Sequence, residues 1–365
     1  MASGPLTPGS TIGILGGGQL GRMLAMAAAE LGLSCHIYCD EDNAPAFAVS
    51  AHQTVGAYDD EATLLTFAKS VDVATVEFEN VPAATLATVA KETPVYPPPR
   101  ALEVSQDRLA EKTFASDLGI AVAPYCEVTS IDELEQAVQS LGTPTLLKTR
   151  RLGYDGKGQV KISNGTNLNE AYESLNGAPA LLEKFIGFDC EISVLAVRGQ
   201  DGETRFYDPS ENRHENQILA EARVPARIPD QIADDARAIA RRLVEALNYC
   251  GVLCVEMFYC GDQASAPLIV NEIAPRVHNS GHWTLDACII SQFENHIRAV
   301  AGWPLGACAR HSDAVMTNLI GDQARDWPAL AAEENTGLHL YGKRQIRPGR
   351  KMGHITRLVA GSGVE

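Results

Sequence analysis

An apolar stretch at Thr11–Leu15 runs directly into Gly16-Gly17-Gly18-Gln19-Leu20-Gly21 and then into an Ala-, Leu- and Met-rich run, Leu20–Leu31. A strand that enters a helix through a glycine turn needs a sheet to lie in, and the helix needs a face of that sheet to cover. The pattern recurs: Ser34–Cys39 and Val71–Phe78 read as strands and Pro82–Lys91 as a helix. Such alternation implies an α/β unit with a parallel sheet. Pro97-Pro98-Pro99 fits neither a helix interior nor a central strand, so a domain boundary is expected there.

Further along, helices are expected over Gln106–Leu118 and Ile131–Leu141, and a strand at Thr145–Thr149 leads into a glycine-rich loop, Arg150–Gln159. Strands follow at Ala180–Ile186 and Cys190–Arg198, then a long helix at Asp230–Leu247. Two apolar strands, Val252–Tyr259 and Leu268–Ile273, precede a tail from Asp313 that reads as a small mixed unit. No apolar stretch reaches the ~18 residues that cross a bilayer. Met1–Ser10 lacks a secretion signal pattern and reads as a short disordered leader, so a cytoplasmic protein is expected. The formal net charge of −16 repels nucleic acid, and an anionic substrate needs a local basic patch. Nine cysteines form no CxxC pair and several lie in apolar runs, which favours reduced, buried thiols over zinc or disulfides.

The first glycine loop fits G-x-G-x-x-G, and Asp40 ends the next strand where a dinucleotide fold places its ribose-binding acid. The signal is weak, because any polar group approaching a helix N-terminus needs the same glycines. The second loop, Gly153-Tyr154-Asp155-Gly156-Lys157-Gly158-Gln159, lies between two strands and lacks Walker spacing. It suits a flap whose N–H groups and Lys157 close over phosphates, with Lys148 projecting towards them. A plain surface hairpin fits the same residues.

The ribbon after it is more informative. With a turn centred near residue 264, Glu256 and Glu272 face one another across the strands. Facing carboxylates among apolar residues are costly without a cation, and Mg²⁺ shared with substrate phosphates is the natural occupant. A salt bridge to Arg276 or Lys148 is the alternative. His278 and His282 have i, i+4 spacing, but Asn279-Ser280-Gly281 between them disfavours a helix and hence a zinc pair. Lys343, Arg344, Arg347, Arg350 and Lys351 form a basic island without an acid, suited to one phosphate group.

Taken together, these residues resemble the 5-(carboxyamino)imidazole ribonucleotide synthase family of ATP-grasp enzymes, from about Thr11 to Thr356. The resemblance rests on GILGGGQLGRM (13–23), Glu77-x-Glu79-x-Val81, GYDGKGQ (153–159), LLEKFI (181–186), ENRHENQIL (211–219), NEIAPRVHNSGHWT (271–284) and RPGRKMGH (347–354). It implies an N-terminal Rossmann-like, pre-ATP-grasp domain (1–100), an ATP-grasp small or lid subdomain (101–205), a large subdomain with the Mg²⁺ site (206–312) and a C-terminal unit that binds substrate phosphate (313–365). It implies ATP contacts from Arg108, Lys148, Gly153, Tyr154, Asp155, Gly156, Lys157, Gly158, Gln159, Glu183, Lys184, Phe185, Ile186, Glu191, His214, Asn271 and Glu272. Glu256 and Glu272 would hold Mg²⁺, and Arg276 and Lys148, with Tyr154 and Asp155 of the flap, would serve the chemistry. The ribonucleotide would lie against Gln19, Leu20 and Glu77, its phosphate held by Lys343, Arg350 and Lys351.

The implied reaction is ATP- and bicarbonate-dependent carboxylation of 5-aminoimidazole ribonucleotide by a homodimer that binds neither nucleic acid nor membrane. A purine-pathway ligase using formate is the nearest alternative, and a nicotinamide-dependent oxidoreductase is the reading from a different class. Leu152 stands where many relatives have glycine.

Overall fold

The computed structural model describes residues 4–151, 153, 158–261 and 266–359. The first unit runs through β1 (Thr11–Leu15), α1 (Gln19–Glu30), β2 (Ser34–Cys39), β3 (His52–Val55), α2 (Glu61–Ala68), β4 (Val73–Val76) and α3 (Ala83–Val89). Its strands lie in the order β3-β2-β1-β4, every pairing parallel. The helices between them supply the crossovers that parallel pairing requires. Ile12, Ile14 and Leu15 of β1 are fully buried, as befits a strand covered on both faces.

The helix expected over Gln106–Leu118 is α5 (Arg108–Asp117), and a further short helix, α4 (Pro99–Ser105), precedes it. Pro99 sits in the first turn of α4, where its missing N–H costs nothing. The break falls at Asp107, whose carboxylate accepts from the N–H groups of Leu109 (3.0 Å) and Ala110 (3.4 Å) and so caps α5.

Next come β5 (Tyr125–Val128), α6 (Ile131–Leu141), β6 (Thr145–Thr149), β7 (Gln159–Ile162), α7 (Leu168–Glu173) and β8 (Ala180–Lys184). Their strands make an antiparallel sheet, β5-β8-β6-β7, over a core of its own that includes Val128, Leu134, Leu147, Ile162 and Leu182. The expected 101–205 span also takes in α4, α5 and β9 (Cys190–Arg198). Those elements pack elsewhere: Ala101, Ala115 and Ile120 share a core with Ile192, Val194, Leu253 and Val255 of the largest sheet.

That sheet is completed by β10 (Thr204–Phe206), β11 (Ser210–Glu215), β12 (Ile218–Val224), β13 (Gly251–Tyr259), β14 (Leu268–Ala274), β15 (Asp313–Ile320), β16 (Thr336–Leu340) and β17 (Lys351–Val359). The order is β14-β13-β9-β11-β12-β15-β17-β16, with β10 beside β9. Helices α8 (Asp230–Ala246), α9 (Thr284–Ala287), α10 (Gln292–Val300) and α11 (Trp327–Leu330) accompany it. The strands of the tail therefore continue the central sheet, joined through β12–β15 pairing from Glu221–Thr317 to Val224–Ala314.

The first unit is fused to this sheet. Ile12, Leu24 and Ile37 share one core with Leu195, Val252, Phe293 and Ile297, and Thr75 Oγ1 meets His296 Nε2 at 2.8 Å. The described part of the leader is docked, contrary to the expected disorder. Leu6 N–H donates to Ala301 O (2.9 Å), and Leu6 O accepts from Trp303 Nε1 (2.7 Å). All nine thiols are free. No described helix is long and apolar enough to cross a membrane.

Candidate active site

A cleft of about 730 Å³ opens where the three sheets meet. Arg108, Lys148, Gly153, Gln159, Glu183, Lys184, Phe185, Ile186, Glu191, His214, Asn271, Glu272, Glu256 and Arg276 line it, and Gln19, Leu20, Glu77 and Lys351 line its other end. Gly158 closes the β6–β7 pair, its carbonyl accepting from Thr149 N–H at 2.8 Å. Leu152, Tyr154, Asp155, Gly156 and Lys157 lie outside the described residues.

In the ribbon, Glu256 faces Glu272, but Met257 faces Val270, so Asn271 is one residue too many for its partner strand. This is a β-bulge. The outer ladder taken alone would set Asn271 against Glu256, and the bulge restores Glu272 to that place. Asn271 and Glu272 are half-exposed between buried Val270 and Ile273, and both line the cleft.

Burial pushes the Glu256 carboxyl up to about 8, with Glu272 adding to the shift and His214 only partly opposing it. His278 Nε2 lies 3.4 Å from Glu256, but burial holds that imidazole well below its usual range, so it is neutral and brings no charge. The two alternative salt-bridge partners are engaged elsewhere. Arg276 donates through Nε and Nη2 to both oxygens of Glu79, and Lys148 Nζ donates to Glu183 Oε2 at 2.8 Å. Arg108 Nη1 stands 3.9 Å from Glu272. Two carboxylates that repel, beside the Asn271 amide, make an oxygen donor set that fits Mg²⁺.

Burial pushes Glu183 up, yet Lys112 (3.7 Å) and Lys148 more than offset this and hold the carboxyl below its ordinary range. Its side chain is thus spent on lysines. Phe188 and Phe258 stack at 4.6 Å and 12° beside it and offer the cleft a flat apolar surface. Burial alone would lower His214, but Glu191, 2.6 Å from Nδ1, raises it and fixes the pair in place. His278 and His282 do not share a helical face: a 3₁₀ turn, Asn279–Gly281, separates them, and His282 Nδ1 meets Gln292 Nε2 at 3.2 Å.

At the other end the first glycine loop is filled by the chain itself. Glu77 Oε1 accepts from Gly18 N–H at 2.6 Å and Oε2 from Gly21 N–H at 2.5 Å. A Cβ on Gly16 would lie 2.2 Å from Glu77 Cγ, and one on Gly18 would lie 2.4 Å from Oε1. The glycines admit this carboxylate, so a dinucleotide pyrophosphate has no place at the helix N-terminus. Nearby, burial, helped by the charges of Arg350 and Lys351, lowers the Lys343 ammonium to about 8. Its Nζ donates to Lys351 O at 2.8 Å, and Arg350 Nη1 donates to Gln345 O at 3.0 Å. Neither Lys343 nor Arg350 lines the cleft proper.

The ATP-grasp domain family matches residues 113–293, the ribonucleotide synthetase preATP-grasp domain matches 9–106, and the phosphoribosylaminoimidazole carboxylase C-terminal domain matches 314–361. The N5-carboxyaminoimidazole ribonucleotide synthase of Brucella melitensis biotype 1 is 52% identical over 355 residues, 97% of each chain. The chain belongs to the N5-carboxyaminoimidazole ribonucleotide synthases. Members of this ATP-grasp ligase family have solved structures. One ADP complex shares 39% identity at a TM-score of 0.93, with 98% of this chain and 95% of that chain covered. The Aspergillus clavatus enzyme in complex with ADP and 5-aminoimidazole ribonucleotide shares 33% at 0.90, with 96% and 94% covered.

Sequence reasoning about this synthase missed several cleft residues. Glu79 was visible as a motif member but not as the partner of Arg276. Phe188 lies in the loop between β8 and β9 and Phe258 in β13, and the two carry no sequence signal. Glu111 and Lys112 had a faint one: they are charged positions within a turn of Ala115 on the buried face of α5.

Proposed function

We propose that this synthase takes its carbon from bicarbonate and passes it through carboxyphosphate as it carboxylates 5-aminoimidazole ribonucleotide with ATP, a step of purine biosynthesis. The observation that carries this reading is the Glu256–Glu272 pair, two facing acids with Arg108 3.9 Å from Glu272, which shares one cleft with Lys148, Arg276 and the glycine-loop residues Gln19 and Leu20. A bicarbonate oxygen attacks the γ-phosphorus, the bond to the β-phosphate oxygen breaks, and ADP leaves. Charge grows on the phosphoryl oxygens, so the protein's task is positioning and fixed positive charge.

Arg276 is suited to that task because Glu79 grips its guanidinium from one side and leaves its plane fixed. Lys148 is held on Glu183 and aimed from the end of β6. Mg²⁺ between Glu256 and Glu272 would neutralise charge on the nucleotide phosphates. The exocyclic amine of the ribonucleotide then attacks the carbonyl carbon of carboxyphosphate, phosphate leaves, and the amine proton is lost. Lys343, Arg350 and Lys351 hold the ribonucleotide phosphate, whose charge relieves their mutual repulsion. Enclosure protects the intermediate from water. We place the synthase in the cytoplasm as a homodimer.

Phosphate release from ATP and bicarbonate tests this. The rate should rise sharply when 5-aminoimidazole ribonucleotide is added and should collapse when formate replaces bicarbonate. Indifference to the ribonucleotide would sink the assignment.

A further inference from the structure

β14 is the edge strand of the large sheet, so its outward backbone groups have no neighbouring strand. The bulge at Asn271 adds to this burden, because the extra residue breaks the ladder and leaves groups unmatched. Two consecutive side chains of α5 meet these groups. Lys112 Nζ donates to Asn271 O at 3.0 Å and to Val270 O at 3.5 Å. Glu111 Oε1 accepts from Ile273 N–H at 2.6 Å. Val270 N–H, just before the bulge, is taken by Ala121 O at 2.9 Å.

Both side chains are almost wholly buried, 4% exposed for Glu111 and 2% for Lys112. Burying an acid and a base side by side on a helix is costly unless each is tightly bonded. Their hydrogen bonds to β14 go to the one place where the described ribbon departs from regular pairing, and Lys112 also stands 3.7 Å from Glu183. Without them the strand can relax to an unbulged ladder, and a slip of one residue turns every side chain beyond it to the opposite face. Asn271 would then oppose Glu256, and Glu272 would leave the cleft.

We propose that Glu111 and Lys112 are positioning residues that clamp the β14 bulge and thereby set Glu272 opposite Glu256. The proposal rests on the reading of those two acids as the Mg²⁺ seat, and it concerns what places them there. It predicts that an acceptor is needed at 111 and a cation at 112, whatever else the helix does.

The test uses Glu111→Leu, Glu111→Gln and Lys112→Met in the full-length protein. Three quantities are read: amide deuterium uptake over 268–274 without ligand, the Mg²⁺ concentration for half-maximal turnover, and KM for the ribonucleotide. Glu111→Leu and Lys112→Met should speed exchange at Ile273 and raise the Mg²⁺ requirement roughly 10- to 100-fold, while KM for the ribonucleotide moves less than about 2-fold. Glu111→Gln keeps an oxygen acceptor and should stay within about 3-fold of the parent in each. Should Lys112→Met fail to fold, the Leu and Gln variants at 111 decide alone.

Parental exchange in Glu111→Leu, or a Gln variant as impaired as the Leu variant, overturns the clamp. Faster exchange with an unchanged Mg²⁺ requirement upholds the clamp and removes the metal reading instead. In that case Glu272→Gln, which leaves the clamp intact, would also leave the Mg²⁺ requirement unchanged.

Discussion

Glu77 and Glu256 are buried glutamates on one cleft, and burial raises both carboxyls. Their surroundings diverge from there. Two N–H groups at the start of α1 close on Glu77, and the glycines that carry them leave no room for anything else. Glu256 instead meets another acid, beside a neutral imidazole, with Lys148 and Arg276 already paired and Arg108 3.9 Å from Glu272. The chain has completed one site from its own backbone and left the other short of positive charge. A glycine motif read as a ligand site is therefore structural, and a pair of acids in an apolar ribbon is the ligand site.

The contrast breaks or sharpens under substitution, beginning with the largest effect. Glu272→Ala should lower turnover on the order of 10³-fold at saturating Mg²⁺, read as phosphate release, because one of two fixed anions for the cation is gone. A near-parental rate would mean that the ribbon is as self-sufficient as the loop. Glu77→Leu should cost about 3 kcal/mol in denaturant unfolding, since two buried N–H groups lose a charged acceptor. Glu256→Gln should do the opposite and hold or raise the Tm of the unliganded protein, since it puts a neutral amide where the folded chain has to keep a proton beside Glu272. Equal signs for the two would erase the distinction.

Lys343→Met should raise KM for the ribonucleotide roughly 10- to 100-fold with a smaller change in KM for ATP, as expected for one lost bond to a phosphate. Acidity gives a further check. Between the ordinary value of 4.5 and about 8 the folded protein keeps a proton on Glu256 that the unfolded chain has released. This contribution is fully present below the lower value and is lost as pH rises through the upper one. Mg²⁺ replaces that proton, so the Tm gained on adding Mg²⁺ should grow across this window, with protons released on binding. A gain that is flat with pH would count against the ribbon as the seat. The smallest effect belongs to Asp40→Asn: this exposed acid lies past the filled loop, and both KM values should stay within about 2-fold.

Periodicity made β1, β2 and β4 of the first sheet legible, because strands buried on both faces leave strong local patterns, whereas the mostly exposed β3 left none. The same logic located β6, β8, β9, β13 and β14. It missed α4, a short helix between the proline run and the Asp107 cap of α5. It also failed at β15, whose pairing with β12 joins residues nearly a hundred positions apart, and at β17, which pairs with β15. The facing acids were legible because a regular ladder happens to predict them. The bulge that delivers them was not, because it depends on Glu111 and Lys112 reaching across from a distant helix. Arg276–Glu79 is likewise a contact between sheets that no local pattern encodes.

The separate core under β5, β6, β7 and β8 bears on the order of assembly. The parallel sheet and the central sheet share one continuous interior, so the cleft wall they form together is set by common packing. The antiparallel sheet has its own interior and can turn as a body about its two chain connections. The cleft thus lies between a fused interior and a sheet with a core of its own, tied across the gap by Lys112–Glu183 and Arg150–Asp107.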